Sequence, residues 1–166
     1  MNNVVKFVKC HPDAKIPSKR KEDAGYDVYA CFEDKFLIIQ PHETAVIPTG
    51  LRSSFSSDYV AILKERGSTG IRGIGQRAGV VDSGYRDIWM IPITNHNDKP
   101  LLICKDMTDG EKESLREDYI LYPYEKAICQ VIFLPVPDLE IRETSIEDIM
   151  NDKSERGEGK LGSSGK

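Results

Sequence analysis

Asp82 sits in the segment Gly79-Val-Val-Asp82-Ser-Gly-Tyr85-Arg86, where an Asp-Ser-Gly turn places a carboxylate beside an aromatic ring. A carboxylate held at such a tip can act as a general base for a water, and the tyrosine can wall off an apolar face. The plainer role is that Asp82 makes the turn, as aspartate commonly does. Tips of hairpins with such a turn can make a pocket whose backbone N–H and C=O groups read a flat heterocycle. Upstream, Glu65-Arg66-Gly67-Ser68-Thr69-Gly70 combines a guanidinium, two hydroxyls and two flexible backbone positions at a strand end, a set that suits phosphate oxygens. Its plainer reading is a glycine turn with a surface arginine. The chain ends in Arg156-Gly-Glu-Gly-Lys160-Leu161-Gly162-Ser163-Ser164-Gly-Lys166, which has almost nothing a core could use. It suits an arm that closes over a polyphosphate, or equally a disordered tail or linker. Asp27, in Ala24-Gly25-Tyr26-Asp27, either orders a turn or supports a metal-bound water. Gln130 is a polar residue inside the apolar run Ala127–Leu134 and requires a partner, structural or ligand.

The elements that must position these groups are short and β-like. Apolar or alternating runs at Val4–Val8, Tyr26–Ala30, Phe36–Ile39, Thr44–Ile47, Tyr59–Leu63, Ile88–Thr94, Leu101–Cys104 and Ala127–Leu134 are separated by Gly, Pro and Asp turns. That cadence predicts an all-β sandwich or barrel. The segment 79–86 is expected to be a hairpin. Two short helices are expected, one opening at Thr108-Asp-Gly-Glu111 with capping-box spacing and one over Ser145–Met150. Residues 97–125 are more polar than their flanks and predict an excursion from the sheet. One domain is expected over residues 1–150, with residues 151–166 forming a linker and a flexible C-terminal arm.

Composition narrows the function. A net charge of −4 argues against broad nucleic-acid binding, so a polyanion would need local positive charge or a divalent cation. Cys10, Cys31, Cys104 and Cys129 are widely spaced, as are His11, His42 and His96, which disfavours a zinc site or a disulfide framework. No apolar run predicts a signal peptide or membrane span, so a cytoplasmic location without membrane contact is expected.

Taken in order, these segments resemble the trimeric deoxyuridine triphosphatases (dUTP pyrophosphatases), a family with five motifs. Ala24–Asp27 is similar to the first, Arg66–Gly70 to the second and Gly79–Arg86 to the third. Ile128-Cys129-Gln130 is similar to the fourth and Arg156–Gly165 to the fifth. The resemblance implies an all-β, jelly-roll-like (β-clip) fold with short helices only and a mobile C-terminal arm. It implies a homotrimer whose active sites are shared between subunits.

By the same resemblance the chain would hydrolyse dUTP to dUMP and pyrophosphate. Asp82 would deprotonate a water that attacks the α-phosphorus, largely by positioning, a source of roughly 7–11 kcal/mol at best. Tyr85 would pack under the deoxyribose, and Gly79, Val80 and Val81 would read uracil. Gln76 stands where the family usually has an assisting asparagine. Arg66, Gly67, Ser68 and Gln130 would bind substrate, and Arg156, Lys160, Leu161, Gly162, Ser163 and Ser164 would close over it. Mg2+, held chiefly by the triphosphate, would be reached by Asp27 through water.

The chain departs from the family pattern at four places. Gly67 separates Arg66 from its serine, Asp87 replaces a glycine, Ala127 replaces a frequent arginine, and Lys160-Leu161 replaces Gly-Phe. Leucine can cover uracil but lacks aromatic stacking, worth roughly 0.5–1.5 kcal/mol. The alternative is a catalytically weak nucleotide-binding regulatory module. A dCTP deaminase is disfavoured because Trp89–Thr94 contains no glutamate. The longer 97–125 segment is a place where a protein partner could bind.

Overall fold

Alternation of apolar and polar residues sends successive side chains to opposite faces of a strand, and the chain exploits this in short pieces. The computed structural model describes residues 4–159. Its strands are β1 (Lys6–Lys9), β2 (Tyr26–Val28), β3 (Phe36–Ile39), β4 (Thr44–Pro48), β5 (Leu51–Ser54) and β6 (Tyr59–Lys64). After the single helical turn α1 (Gly67–Gly70) come β7 (Ile74–Gln76), β8 (Val80–Val81), β9 (Met90–Asn95) and β10 (Leu101–Cys104). Helix α2 (Asp109–Leu115), β11 (Ile120–Pro123), β12 (Cys129–Pro135) and α3 (Ile146–Asn151) complete the series. The result is the expected all-β fold with short helices.

Four small sheets run in the orders β1-β5, β11-β10-β3, β2-β12-β6-β8 and β4-β9-β7. Their inner faces share one core in which Trp89, Ile91, Ile93, Leu101, Ile47, Val28 and Val131 are fully buried. The compact body ends at Val136; the residues from Pro137 onward form a separate unit that contains α3. The predicted capping box is present at Thr108–Glu111, and the second expected helix has one too, at Ser145–Asp148.

Two expectations are corrected. Residues 79–86 do not form a hairpin: β8 pairs with β6, whereas β9 pairs with β4 and β7. Trp89, Ile91 and Ile93 are completely buried, and their burial draws β9 into a different sheet. The Asp-Ser-Gly turn survives locally, with the Tyr85 N–H donating to the Asp82 carbonyl at 3.1 Å.

Residues 97–125 are not an excursion from the sheet but part of one. Strand β10, buried along its whole length, pairs antiparallel with β3 and parallel with β11. Parallel neighbours need a crossover, and α2 lies in that connection. Lys105 anchors it at one corner. Its N–H donates to the Lys35 carbonyl at 2.9 Å, and its ammonium stands over the rings of Phe32 and Tyr124 at 5.1 and 4.7 Å.

Candidate active site

The pairing of β2, β12 and β6 is what gathers the candidate phosphate-binding groups. Gln130 on β12 lies opposite Asp27 on β2 and opposite Lys64 on β6, two residues before Arg66. The chain then turns into α1, with Arg66 as its N-cap residue. The Thr69 hydroxyl, fully buried, donates to the Arg66 carbonyl at 2.9 Å and accepts the Arg66 N–H at 3.0 Å, so the turn is locked from inside.

Arg66 Nε lies 2.9 Å from Asp27 Oδ1, and both side chains are about one-third exposed (29% and 34%). Nη1 of Arg66 also donates to the Ala127 carbonyl at 3.3 Å and to Ser68 Oγ at 3.4 Å. Beside this cluster opens a shallow cleft of about 370 Å³, lined by Arg20, Gly25, Arg66, Gly67, Ser68 and Gln130 among others. Gln130 donates through Nε2 to the Glu65 carbonyl at 2.8 Å. Its Oε1 occupies the space a Cβ at Gly25 would need, which explains the glycine in the first motif.

Asp82 and Tyr85 lie elsewhere in the same chain. Val81 is in register with Ala61, and β8 runs antiparallel to β6, so Asp82 continues toward the start of β6 and away from Arg66. Five residues of extended chain separate Ala61 from Arg66, ~17 Å at the usual strand rise. Asp82 is exposed, and Tyr85, 40% exposed, donates its hydroxyl to the Ile88 carbonyl at 3.0 Å. Gly79 has φ +114°, and a Cβ there would stand 2.8 Å from the Leu63 carbonyl oxygen. That carbonyl belongs to a close backbone contact, since the Leu63 N–H donates to the Gly79 carbonyl at 2.7 Å. Gln76 is buried near the same turn, its N–H donating to Glu65 Oε1 at 3.2 Å and its side-chain amide donating to the Arg77 carbonyl.

The candidate residues of one chain thus fall in two places. Asp27, Arg66, Gly67, Ser68 and Gln130 meet near the end of β6, whereas Val81, Asp82 and Tyr85 run toward its start, with Gln76 and Gly79 lying between them against Glu65 and Leu63. Arg156 lies in the C-terminal unit, its Nε donating to the Gly159 carbonyl at 3.2 Å. Lys160, Leu161, Gly162, Ser163 and Ser164 lie outside the described residues.

Sequence reasoning missed three contributors. Arg20, at the cleft rim, pairs with Asp23 at 2.9 Å; the Lys19-Arg20-Lys21 run was a signal for it. Glu65, beside the Arg66 turn, accepts the Gln76 N–H of β7, and Tyr122 on β11 donates to the Ala127 carbonyl at 2.5 Å. Neither carried a sequence signal, because each acts on a backbone group that only the folded chain brings within reach.

The dUTPase family model matches residues 13–107, more than half of the chain and three of the five candidate motifs. The chain belongs to the dUTPase family. A deoxyuridine 5'-triphosphate nucleotidohydrolase of Herminiimonas arsenicoxydans is 31% identical over 147 residues, covering 86% of this chain and 83% of the relative. Among solved structures, a Staphylococcus bacteriophage 80alpha dUTPase mutant with dUpNHpp superposes with a TM-score of 0.75 at 23% identity and covers 99% of both chains. A dUTPase mutant from phage phi11 of S. aureus, described with a structural Mg(II) ion, gives a TM-score of 0.66 at 20% identity. It covers 86% of this chain and 97% of the phage protein. The fold and the family thus agree with the order of motifs.

Proposed function

We propose that the chain is a dUTP diphosphatase that hydrolyses dUTP to dUMP and pyrophosphate. Membership of the dUTPase family and the nucleotidohydrolases among its relatives support this reading. The observation that carries it is that Arg66, Ser68 and Gln130, from a turn and a strand, line one polar cleft, with Asp27 of a neighbouring strand paired to Arg66. A guanidinium, a hydroxyl and turn N–H groups at an open cleft match the oxygens of a triphosphate.

In this reading Asp82 is the general base. Its carboxylate takes a proton from a water whose oxygen attacks the α-phosphorus, and the bond to the bridging oxygen breaks to release pyrophosphate. Tyr85 lies against the sugar, where a 2′-hydroxyl would collide with the ring. The backbone of Gly79–Val81 recognises uracil, with Gln76 supporting the turn. Arg66, Gly67 and Ser68 hold phosphate oxygens, and Gln130 fixes the cleft wall through Glu65. Arg156, Lys160, Leu161, Gly162, Ser163 and Ser164 close the site as a C-terminal arm.

The donor set suits magnesium held mainly by substrate. Asp27 is a single hard carboxylate, partly exposed, and among the described residues no group of three or more His, Cys, Asp and Glu forms a cage. Magnesium characteristically combines one or two carboxylates with waters and phosphates. Bound this way, Asp27 would reach it through water, and it would neutralise charge on the triphosphate.

The two half-sites on one chain favour an assembly in which Asp82 of one copy faces Arg66 of another, as in a homotrimer. A cytoplasmic setting accords with this chemistry. Among the described residues, no helix is long and apolar enough to cross a membrane.

The test is pyrophosphate release in magnesium from dUTP, UTP, dTTP and dCTP in parallel. Turnover of dUTP alone is the expected result. Binding of dUTP without turnover would favour the regulatory module instead, and ammonia release from dCTP would favour deamination.

A further inference from the structure

Strand β11 ends against the phosphate turn, and one of its residues stands between two arginines. Tyr122 is 3% exposed. Its hydroxyl donates to the Ala127 carbonyl at 2.5 Å, and Arg66 Nη1 donates to that same oxygen at 3.3 Å. On the other side, the Arg72 guanidinium lies 5.6 Å from the centre of the Tyr122 ring and donates to the Leu121 carbonyl at 2.9 Å. Arg66 and Arg72 flank α1, so the turn that carries Gly67 and Ser68 is tied to β11 directly at its Arg72 end and, at its Arg66 end, through the Ala127 carbonyl that Tyr122 holds.

We propose that Tyr122 is a positioning residue for Arg66, through which the β10–α2–β11 segment sets the geometry of the triphosphate half-site. The inference rests on the reading of Arg66 as a phosphate ligand and adds to it a route from a distant segment. Arg66 has three anchors: the Asp27 carboxylate, Ser68 Oγ and the Ala127 carbonyl. The first two can exchange with substrate and its ion, whereas the third is a backbone oxygen. Its place is fixed by Tyr122, whose hydroxyl occupies one acceptor direction and leaves the other for the guanidinium.

Removing the hydroxyl frees the carbonyl to turn, and Arg66 loses the anchor that persists when phosphate arrives. Because β11 is held in parallel register with β10, the position of Tyr122 depends on the whole segment. Its register pairs Tyr122 with Ile103, at the centre of the buried strand. A displacement of the segment would thus reach Arg66 without touching the nucleotide.

A double-mutant cycle tests this, reading the Kd of the non-hydrolysable analogue dUpNHpp together with kcat for dUTP. Tyr122→Phe in the otherwise native chain is expected to weaken analogue binding about three- to tenfold, the range of one net hydrogen bond. In an Arg66→Lys background, where the fork that reaches the Ala127 carbonyl is gone, Tyr122→Phe is expected to change binding by less than about twofold. Arg72→Met, which leaves the core side chain in place, should weaken binding in the same direction and serves if Tyr122→Phe folds poorly. Full multiplication of the Tyr122→Phe effect on top of Arg66→Lys would mean a general effect on stability and would overturn the inference. So would unchanged binding in both Tyr122→Phe and Arg72→Met while Arg66→Lys is impaired. If Arg66→Lys itself binds as well as the native chain, the phosphate role of Arg66 has failed instead.

Discussion

Arg66 and Asp27 form an ion pair of 2.9 Å that joins the second motif to the first, with the guanidinium bridging β2 and the end of β6. Two groups assigned to opposite charges of the same substrate complex, phosphate and magnesium, thus neutralise each other before substrate arrives. The pair costs each partner part of its availability but holds Arg66 at the cleft with Asp27 behind it. Since each side chain is about one-third exposed, solvent screening keeps the pair's own contribution to stability near or below ~1 kcal/mol. Its value is positional.

Replacing Asp27 with Ala should therefore harm catalysis more than folding. We expect kcat/KM for dUTP to fall at least about tenfold, in line with loss of a carboxylate that orients an ion. The magnesium concentration for half-maximal rate should rise, while Tm shifts by only a few degrees. Titration of activity against magnesium, with thermal unfolding alongside, makes the check. An unchanged magnesium dependence would remove Asp27 from the metal's surroundings.

Asp82 should be separable from binding. Asp82→Asn is expected to lower kcat by about 10²–10⁴-fold, the usual contribution of a general base. Affinity for dUpNHpp should stay within a few-fold, measured by calorimetry, because the half-site around Arg66 is built from other strands. Comparable losses in affinity and turnover would argue that Asp82 only shapes the turn.

The separation of Asp82 from Arg66 along β6 predicts complementation between chains. Asp82→Asn and Arg66→Ala variants, each nearly inactive, should recover activity when refolded together, because mixed assemblies contain some sites with both native residues. For random cyclic trimers mixed in equal amounts, about a quarter of sites would be intact. Recovery absent despite confirmed mixing would place the whole site within one chain.

Burial controls the thiols. It raises the pKa of Cys31 and Cys104, and it pushes that of Cys129 up to about 12, assisted by the nearby carboxylates of Asp27 and Glu65. A raised thiol pKa means the neutral, unreactive form at pH 8. Cys10, by contrast, is exposed. Ellman's reagent should label Cys10 quickly in the folded protein and the other three only after denaturant is added. Rapid labelling of Cys129 under native conditions would show that β12 opens readily.

Helix α2 should loosen in acid. The Thr108 N–H and hydroxyl hold Glu111 below the usual carboxylate range, with Lys35 adding to the effect. A depressed carboxylate stabilises above its unfolded pKa, and that contribution is lost as pH falls through the folded value. The capping box should thus be intact at pH 6 and weaken below about pH 4.5. Thr108→Ala should mimic the loss at neutral pH, at about 1 kcal/mol for a missing cap. Amide exchange over residues 109–115 reads both effects, and equal protection at the two pH values, after correction for intrinsic rates, would refute them.

Much of the candidate site is legible in the residues alone. Gly25 and Gly79 announce themselves because a backbone under steric demand accepts few residues, and Arg66 and Asp82 because each is a charged residue in a glycine-containing turn segment. Gly79 has positive φ and a Leu63 carbonyl where its Cβ would go, and Gly25 is pressed by Gln130. Both helix starts are legible too, since Thr108 and Ser145 cap by contacts within four residues. The strands Leu51–Ser54, Ile74–Gln76, Val80–Val81 and Ile120–Pro123 are not. Each is short and weakly patterned, and its extended form depends on a partner strand.

The sequence by itself determined the inventory: an all-β chain with the first three motifs in order, two capped helices and a carboxylate on a tight turn. These follow from local sterics and short-range hydrogen bonds. Only the tertiary structure decided which groups meet. It paired Arg66 with Asp27, thirty-nine residues earlier, and sent Asp82 to the far end of β6. It also made residues 97–125 a strand–helix–strand unit whose Tyr122 shares the Ala127 carbonyl with Arg66. Pairing register and core packing set such distances, and both depend on contacts between residues far apart in sequence.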